Sequence, residues 1–323
     1  MTTLKSTQSI EHNITHVAVA IVVNSEGEIL ISRRPEGVHL EGFWEFPGGK
    51  LEQDETVFTA IQRELAEETG IQIKSGRQLI KVLHEYPEKT VKLDTWLIKD
   101  WSGLAEGLEG QEVRWVGRNE LINYKFPEAD RPIISALNLP SVYQISPEPD
   151  YDLEEFLKKV EACLQNDTKL FQLRAKNLSS SSLKKLSEPI KKLCEKYHAR
   201  WLINGESQDV ERFNADGVHL SSERLMALTT RPLSDEFLVG ASCHNTEELE
   251  HAERMGVDFA VLSPVNKTLS HPELSPLGLN KFKQLIEGIN IPIYALGGMS
   301  HADLESVWEF GAQGVAMIRA GWS

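Results

Sequence analysis

The pattern of apolar positions differs between the first and the second part of the chain. In residues 1–138, apolar runs separated by turn residues predict the strands of a mixed sheet, and a long helical pattern covers residues 55–69. The predicted strands cover residues 17–23, 28–34, 78–85, 90–99 and 113–116, and a short helix is predicted at 129–137. The turn at residues 24–27 predicts a hairpin between the first two strands. This order of elements predicts an α+β domain, an α/β/α sandwich.

Residues 139–323 follow a regular alternation. Eight short apolar runs alternate with seven helical patterns; the runs lie at residues 142–146, 170–173, 201–203, 218–220, 238–241, 259–262, 293–296 and 315–318. Eight strands alternating with helices predict an α/β domain of the (β/α)8 TIM-barrel type. With about 185 residues the barrel is smaller than the usual ~250, and an open doubly wound sheet is the alternative.

The helix predicted at residues 55–69 concentrates negative charge on one face. Glu64, Glu67 and Glu68 stand at i, i+3 and i+4, and Arg63 is the only cation in the last two turns. Gly70 is placed to end the helix. Carboxylates this close repel one another, and a hard divalent cation relieves that repulsion because it takes carboxylate oxygens and bridges phosphates.

This acidic helix belongs to a longer pattern that resembles the Nudix box; a solvated acidic helix is the alternative. The matching residues are Gly49, Glu55, Arg63-Glu64-Leu65, Glu67-Glu68 and Gly70-Ile71. The resemblance implies a metal-dependent hydrolase that uses Mg²⁺, for which Mn²⁺ substitutes. It also implies that Glu64 takes the proton of the attacking water as pyrophosphate leaves. The implied metal ligands are Glu64, Glu67, Glu68 and the Gly49 carbonyl.

The residues before the box resemble the MutT branch of that family, whose members hydrolyse 8-oxo-dGTP to 8-oxo-dGMP and pyrophosphate. The matching residues are Arg33-Arg34, His39 and Trp44-Glu45-Phe46-Pro47-Gly48-Gly49-Lys50. Glu109 matches a distant glutamate that MutT enzymes bring to the metal. The resemblance further implies that Glu55 and Arg63 orient the ligands, and that the nucleotide is contacted by Arg34, Phe46, Gly48, Gly49, Lys50, Tyr86 and Asp130. MutT members carry Asn at the last of these positions; an ionised Asp130 only accepts hydrogen bonds.

The second half is similar to thiamine phosphate synthase and its TenI relatives. The similarity rests on Gln172-Leu173-Arg174-Ala175-Lys176-Asn177, Asn204, Ala215 to Leu220, Ser242-Cys243-His244 and Gly297-Gly298. It implies a phosphate or thiazole pocket lined by Arg174, Lys176, Asn204, Gly297 and Gly298.

The sequence departs from the synthase pattern at the positions that bind the metal ion and the phosphates. Gly205 and Arg224 replace two metal-binding aspartates, and His271 in Thr268-Leu269-Ser270-His271 replaces a phosphate-binding lysine. Ser263 stands where the TenI tautomerase has its histidine. We therefore expect that the barrel binds a thiamine-related or phosphate ligand but does not catalyse the synthase reaction. The alternative is a barrel with a purely structural role, whose former site no longer functions.

The composition of the chain limits which ligands and which cellular location are expected. The net charge is −14 and no basic patch appears, which argues against duplex nucleic acid as a ligand. The N-terminus lacks an apolar signal core, no run of about 20 apolar residues occurs, and three scattered cysteines form no disulfide framework, so a cytoplasmic protein is expected. The sequence leaves the oligomeric state open. The MutT resemblance implies that the protein removes oxidised dGTP from the nucleotide pool. One alternative is an enzyme that hydrolyses damaged thiamine diphosphate. Another is a ligand sensor that binds metabolites through the barrel.

Overall fold

The computed structural model describes residues 14–149, 152–268 and 275–322. These residues form two compact units, the first built mainly from residues up to Ala129 and the second mainly from Asp130 onward. In the described part of the chain, no helix combines the length and the apolar composition needed to cross a bilayer.

The first unit contains two sheets and one long helix. Its strands are β1 Ile14–Val22, β2 Ile29–Arg33, β3 Trp44–Glu45, β4 Gly48–Lys50, β5 Gln72–Tyr86, β6 Lys89–Ser102 and β7 Val113–Val116, and its helix is α1 Val57–Thr69. One sheet has the order β4-β1-β6-β5 and the other the order β3-β2-β7. Strand β1 runs parallel to β6 and antiparallel to β4, so the sheet is mixed as predicted and the α+β class is confirmed.

The predicted hairpin between the first two strands is wrong. The turn exists, because the N–H of Asn24 donates to the carbonyl of Glu28, but β1 and β2 share only the bridge Val23–Ile29. Strand β1 already pairs with β4 on one edge and with β6 on the other, so it has no free edge for β2. Strand β2 pairs instead with β3 and β7 in the second sheet.

Helix α1 is defined by its two ends and by its apolar stripe. The Thr56 hydroxyl accepts the N–H of Thr59 at 3.2 Å, and Gly70 closes the helix with a φ of 72°. Ile61 and Leu65 are fully buried in a core with the alanines of β1. Truncating either side chain to alanine costs about 2–5 kcal/mol in such a core. This packing fixes which face of α1 carries the glutamates.

The second unit is a closed barrel, which excludes the open-sheet alternative. Its strands are β8 Val142–Ile145, β9 Leu170–Leu173, β10 Arg200–Asn204, β11 Gly217–Leu220, β12 Leu238–Cys243, β13 Phe259–Leu262, β14 Ile293–Leu296 and β15 Gly314–Met317. They are all parallel, and the ring closes where β15 pairs with β8 and β8 pairs with β9. The TIM-barrel prediction is confirmed.

Helices surround this barrel, and side chains fill its interior. The helices are α2 Arg131–Asn138, α3 Leu153–Gln165, α4 Ser180–Lys196, α5 Gln208–Phe213, α6 Ser222–Met226, α7 Thr246–Arg254, α8 Gly278–Ile286 and α9 Leu304–Glu309. Short 3-10 turns cover Arg118–Asn123, Glu128–Asp130 and His301–Asp303. Tyr143, Phe259 and Tyr294 are fully buried in the centre of the ring. The interior is therefore a packed core, and only the ends of the strands can offer a site.

Candidate functional site

The acidic face of α1 lies against strand β4. Gly49 adjoins the carboxylate of Glu64 so closely that a Cβ at residue 49 would lie 2.1 Å from Oε1. Gly48 has a φ of 148°, and a Cβ there would lie 2.1 Å from the Ala18 carbonyl oxygen. The N–H of Gly48 donates to Oε2 of Glu68 at 3.2 Å. Gly49 therefore lets the backbone of β4 approach Glu64, whereas Gly48 lets it lie close to β1 while its N–H binds Glu68.

Arg63 binds two acidic side chains, one just before α1 and one in its middle. Its guanidinium binds both oxygens of Glu55, with Nε at 3.1 Å and Nη2 at 2.9 Å, and donates from Nη1 to Oε1 of Glu64 at 2.8 Å. Nη2 also donates to the Lys50 carbonyl at 3.1 Å, whereas Glu67 is 58% exposed and lies 3.5 Å from Nη1. The hydrogen bond with Arg63 is the main reason that the pKa of Glu55 is lowered. Arg63 thus binds one oxygen of Glu64, and its role in orienting metal ligands stays a prediction.

The loop after β6 brings Glu109 to the acidic patch. The carbonyl oxygen of Glu68 accepts the N–H of Leu108 and the side-chain amide of Gln111, both at 2.9 Å. The Gln111 side-chain oxygen accepts the N–H of Glu109 at 3.0 Å. The exposed Glu109 thereby lies near enough to Glu68 for the two charges to interact. The structure therefore places a residue 40 positions away in sequence from α1 beside its acidic face.

Burial and neighbouring negative charges both act on Glu68. Its pKa rises to about 8, first because the half-buried carboxyl is withdrawn from water, while the Gly48 N–H opposes the rise. The charges of Glu64, Glu45 and Glu109 raise this pKa further. Glu45 is a site residue that the sequence reasoning did not single out; it stands on β3, and Arg34 binds it. Its position inside the otherwise apolar segment Trp44-Glu45-Phe46 was the available signal.

This donor set fits a hard divalent cation. The groups are carboxylates together with a backbone carbonyl, without histidine or thiolate, which suits Mg²⁺ or Mn²⁺. Across residues 14–149, 152–268 and 275–322, no three acidic, histidine or cysteine side chains converge as a ready-made metal cage. Arg63 binds Oε1 of Glu64, and burial is the first cause of the raised pKa of Glu68, with the charges of Glu64, Glu45 and Glu109 adding to it. A cation held by Glu64, Glu67, Glu68, Glu109 and the Gly49 carbonyl would offset the repulsion among these carboxylates.

The predicted nucleotide contacts occupy two places in the first unit. Arg34 pairs with Glu45 and donates from Nε to the His39 carbonyl at 2.8 Å, and the His39 ring meets Tyr86 edge-on at 5.5 Å. Phe46 is only 4% exposed and stacks on Phe126 with ring centres 5.1 Å apart.

Two other predicted nucleotide contacts are Lys50 and Asp130. Lys50 is exposed beside the box helix. Asp130, which is 6% exposed, stands at the N-cap position of α2. The roles of both in nucleotide recognition stay predictions.

In the barrel, the predicted pocket residues stand at the carboxyl ends of strands. Arg174 directly follows β9, Asn204 is the last residue of β10, and Gly298 follows β14 by two residues. All the strands are parallel, so these residues stand at the same end of the barrel. Gly297 precedes Gly298 in the same turn, and Lys176 is exposed on the loop after β9. These five residues therefore border the same end of the ring.

The departures from the synthase pattern have structural counterparts. At Gly205, a Cβ would lie 2.5 Å from Oδ2 of Asp209, so the Asp209 carboxylate fills the space of the absent side chain. That carboxylate accepts the N–H of Glu206 at 2.9 Å. Arg224 is exposed on α6. Leu269, Ser270 and His271 lie outside the described residues.

A buried polar chain across the barrel interior was not predicted as a unit. The Gln172 amide donates to the Tyr143 hydroxyl at 2.7 Å, and that hydroxyl lies 3.1 Å from Nδ1 of His219. Nε2 of His219 lies 2.9 Å from the Ser242 hydroxyl. In the tautomer with the His219 proton on Nε2, Tyr143 donates to Nδ1 and Nε2 donates to the Ser242 hydroxyl. Burial lowers the pKa of His219 to about 3, so the ring is neutral.

Known protein families match both units. The thiamine monophosphate synthase family matches residues 142–320, and the NUDIX domain family matches residues 18–136. A putative thiamine-phosphate synthase 2 of Aquifex aeolicus is 38% identical over 182 residues, covering 56% of this chain and 97% of the relative. A thiamine-phosphate synthase of Fusobacterium nucleatum is 28% identical over 178 residues, covering 55% and 86%. A structure solved in work on MutT of Aliivibrio salmonicida and Vibrio cholerae is 36% identical, covers 39% of this chain and 97% of its own, and has a TM-score of 0.35.

Proposed function

Since the chain belongs to the thiamine monophosphate synthase family through its second unit and carries a NUDIX domain in its first, we propose that the first unit hydrolyses nucleoside triphosphates, with 8-oxo-dGTP preferred. The products are 8-oxo-dGMP and pyrophosphate, and the role is nucleotide-pool sanitation in the cytoplasm ahead of DNA replication. The observation that carries the proposal is the geometry of the acidic patch, in which Gly49 lies against the Glu64 carboxylate, the Gly48 N–H binds Glu68 and Glu109 lies near Glu68.

The residues of the first unit divide the chemical work. Bound Mg²⁺ would neutralise the phosphates and acidify the attacking water. Arg63 occupies Oε1 of Glu64, which leaves Oε2 to take the proton of that water. The oxygen of the water forms a bond to one phosphorus while the bond from that phosphorus to the departing pyrophosphate breaks. Phosphoryl transfer depends mainly on positioning and charge neutralisation. Lys50 and Arg34 serve both needs by contacting the phosphates and the nucleotide.

Base selectivity in this proposal rests on Asp130. An ionised carboxylate only accepts hydrogen bonds, so it matches the donors of guanine, N1–H and the exocyclic amino group. The 8-oxo form adds a further donor at N7. Tyr86 supplies aromatic surface for the purine. Phe46, which the resemblance also implies as a contact, is 4% exposed and stacks on Phe126, so it would have to move to meet a base.

The test is a comparison of rates on 8-oxo-dGTP, dGTP, ADP-ribose and oxidised thiamine diphosphate with Mg²⁺ or Mn²⁺. We expect the highest kcat/KM on 8-oxo-dGTP, equimolar monophosphate and pyrophosphate, and a loss of at least 100-fold in Glu68→Gln. Glu88→Gln, an exposed glutamate in the turn between β5 and β6, is the matched control and keeps full activity. Hydrolysis that survives Glu67→Gln and Glu68→Gln unchanged rules out the proposed site.

Oxidised or otherwise damaged thiamine diphosphate is the second candidate substrate. The observation that favours it is the thiamine monophosphate synthase family match of the adjoining unit. A higher kcat/KM on oxidised thiamine diphosphate than on 8-oxo-dGTP selects this candidate. We also propose that the barrel binds a phosphorylated ligand without synthase turnover, since Gly205 and Arg224 supply no carboxylate for a metal-bound diphosphate. Thiamine phosphate formation by the purified protein contradicts that part.

A further inference from the structure

The loop that follows β9 presents a set of backbone donors at the mouth of the barrel. The N–H of Arg174 donates to the Ser146 hydroxyl at 2.9 Å, which fixes the first residue of the loop against the end of β8. Further along the loop, the N–H groups of Lys176 and Asn177 both donate to one side chain. Successive backbone N–H groups in a turn form a concavity that binds anions, and a nearby guanidinium strengthens it.

An internal carboxylate occupies this concavity. Glu148, in the segment after β8, accepts the N–H of Asn177 on Oε1 at 2.7 Å and the N–H of Lys176 on Oε2 at 3.1 Å. The Arg174 guanidinium lies 3.8 Å from Oε2 of Glu148. Both oxygens are therefore engaged, as two oxygens of a phosphoryl group would be.

We propose that Glu148 is an internal competitor for an oxyanion site at the barrel mouth, and that the phosphoryl group of a small ligand binds there by displacing it. The site consists of the N–H groups of Lys176 and Asn177 together with the guanidinium of Arg174. This inference rests on the phosphorylated barrel ligand proposed above and is independent of hydrolysis in the first unit.

The charges at the site favour the exchange. A phosphoryl group carries up to two negative charges and three acceptor oxygens, whereas Glu148 brings one charge and two oxygens. Glu148 keeps 28% of its side chain exposed and Arg174 keeps 34%, so water reaches both and an incoming anion can as well. The exposed Lys176 ammonium stands on the same loop as the two donors and adds positive charge for a second phosphate.

Displacement has a measurable consequence for affinity. The apparent dissociation constant of the ligand rises as the competent fraction of the protein falls. If Glu148 fills the site in about nine molecules of ten, its removal tightens binding about tenfold.

The experiment measures binding of inorganic pyrophosphate and of inorganic phosphate to the full chain by calorimetry. Metal-free buffer keeps the acidic patch of the first unit from binding either anion through a cation. We expect Glu148→Ala to bind pyrophosphate at least tenfold more tightly than the wild type, with Glu148→Gln in between because its amide oxygen still accepts one N–H. Adding Arg174→Ala to Glu148→Ala should return the affinity to the wild-type level or below.

Two controls separate the possible failures. Glu154→Ala removes an equal charge from an exposed position in the first turn of α3 and should leave the affinity unchanged. Hydrogen exchange of the peptide spanning residues 174–178 should quicken in Glu148→Ala and slow again on adding pyrophosphate. Equal affinity in the wild type and Glu148→Ala overturns the role of Glu148 alone. No binding to either protein also overturns the phosphorylated ligand, and neither result bears on nucleotide hydrolysis.

Discussion

Gly49→Ala offers a direct test of how the acidic patch is built. Gly49 does not adopt a positive φ, so alanine is compatible with the backbone and the added methyl acts only through what it meets. It meets the Glu64 carboxylate, whose Oε1 would be 2.1 Å away and must retreat by about 1.3 Å to reach an ordinary contact of 3.4 Å. That retreat also disturbs the 2.8 Å hydrogen bond from Arg63.

The expected effect follows from the size of this movement. A misplacement of about 1 Å at a catalytic group costs about 100-fold in rate, which corresponds to about 2.7 kcal/mol of activation free energy. We expect kcat/KM for pyrophosphate release from 8-oxo-dGTP to fall by about that factor, while the melting temperature changes little. The assay is steady-state pyrophosphate release with saturating Mg²⁺, together with thermal unfolding of the same preparation.

A double-mutant cycle decides whether the contact is the cause. Glu64→Asp shortens the side chain by one methylene and withdraws the carboxylate from residue 49. In the Glu64→Asp background, Gly49→Ala should therefore cost far less than 100-fold. An equal cost in both backgrounds refutes the argument from contact. Gly37→Ala is the opposite case, because a Cβ there meets nothing within 4 Å but the φ of 83° is strained for alanine. It should lower the melting temperature and leave kcat/KM unchanged.

Three further predictions concern residues in both units. Arg63→Lys loses the paired hydrogen bonds to Glu55, and we expect the Mg²⁺ concentration for half-maximal activity to rise about 10-fold or more in a metal titration. Asp130→Ala should erase the preference for 8-oxo-dGTP over dGTP, measured as a ratio of kcat/KM; an unchanged ratio removes Asp130 from the account. His219 stays neutral in the folded barrel because its pKa is about 3, whereas the unfolded ring gains a proton below about 6.5. The free energy of unfolding of the barrel should therefore fall with decreasing pH between these values, by about 1.4 kcal/mol per pH unit from this group, and urea titrations of His219→Gln should lack that share.

The elements that depend on local pattern were predictable from the sequence. Strands β9, β13 and β14 match the predicted ranges residue for residue, because short buried parallel strands are continuous apolar runs bounded by turns. Helix α1 also matches closely, with an end at Gly70 that the sequence marks directly. The acidic face of α1 follows from helical periodicity alone.

The elements that depend on distant partners were not predictable. The hairpin failed because β4, which lies far from β1 in sequence, occupies the edge that β2 needed. The sequence analysis assigned no role to Glu45 or Glu148, because each is a single acid in a short segment. Their meaning comes from Glu68 in one unit and from the loop after β9 in the other. Nothing in the local sequence specifies these neighbours.

The closure of the ring between β8 and β15 sets an order for biosynthesis. Strand β8 comes first in the barrel and β15 comes last, yet each needs the other to complete its hydrogen bonds. A nascent chain that stops before residue 314 therefore exposes two unpaired strand edges, which are templates for aggregation. The strands that make up the two sheets of the first unit all lie within residues 14–116, so their partners are synthesised before the barrel. Premature termination near the 3′ end of the message should thus leave these two sheets with all their strands, joined to an aggregation-prone partner.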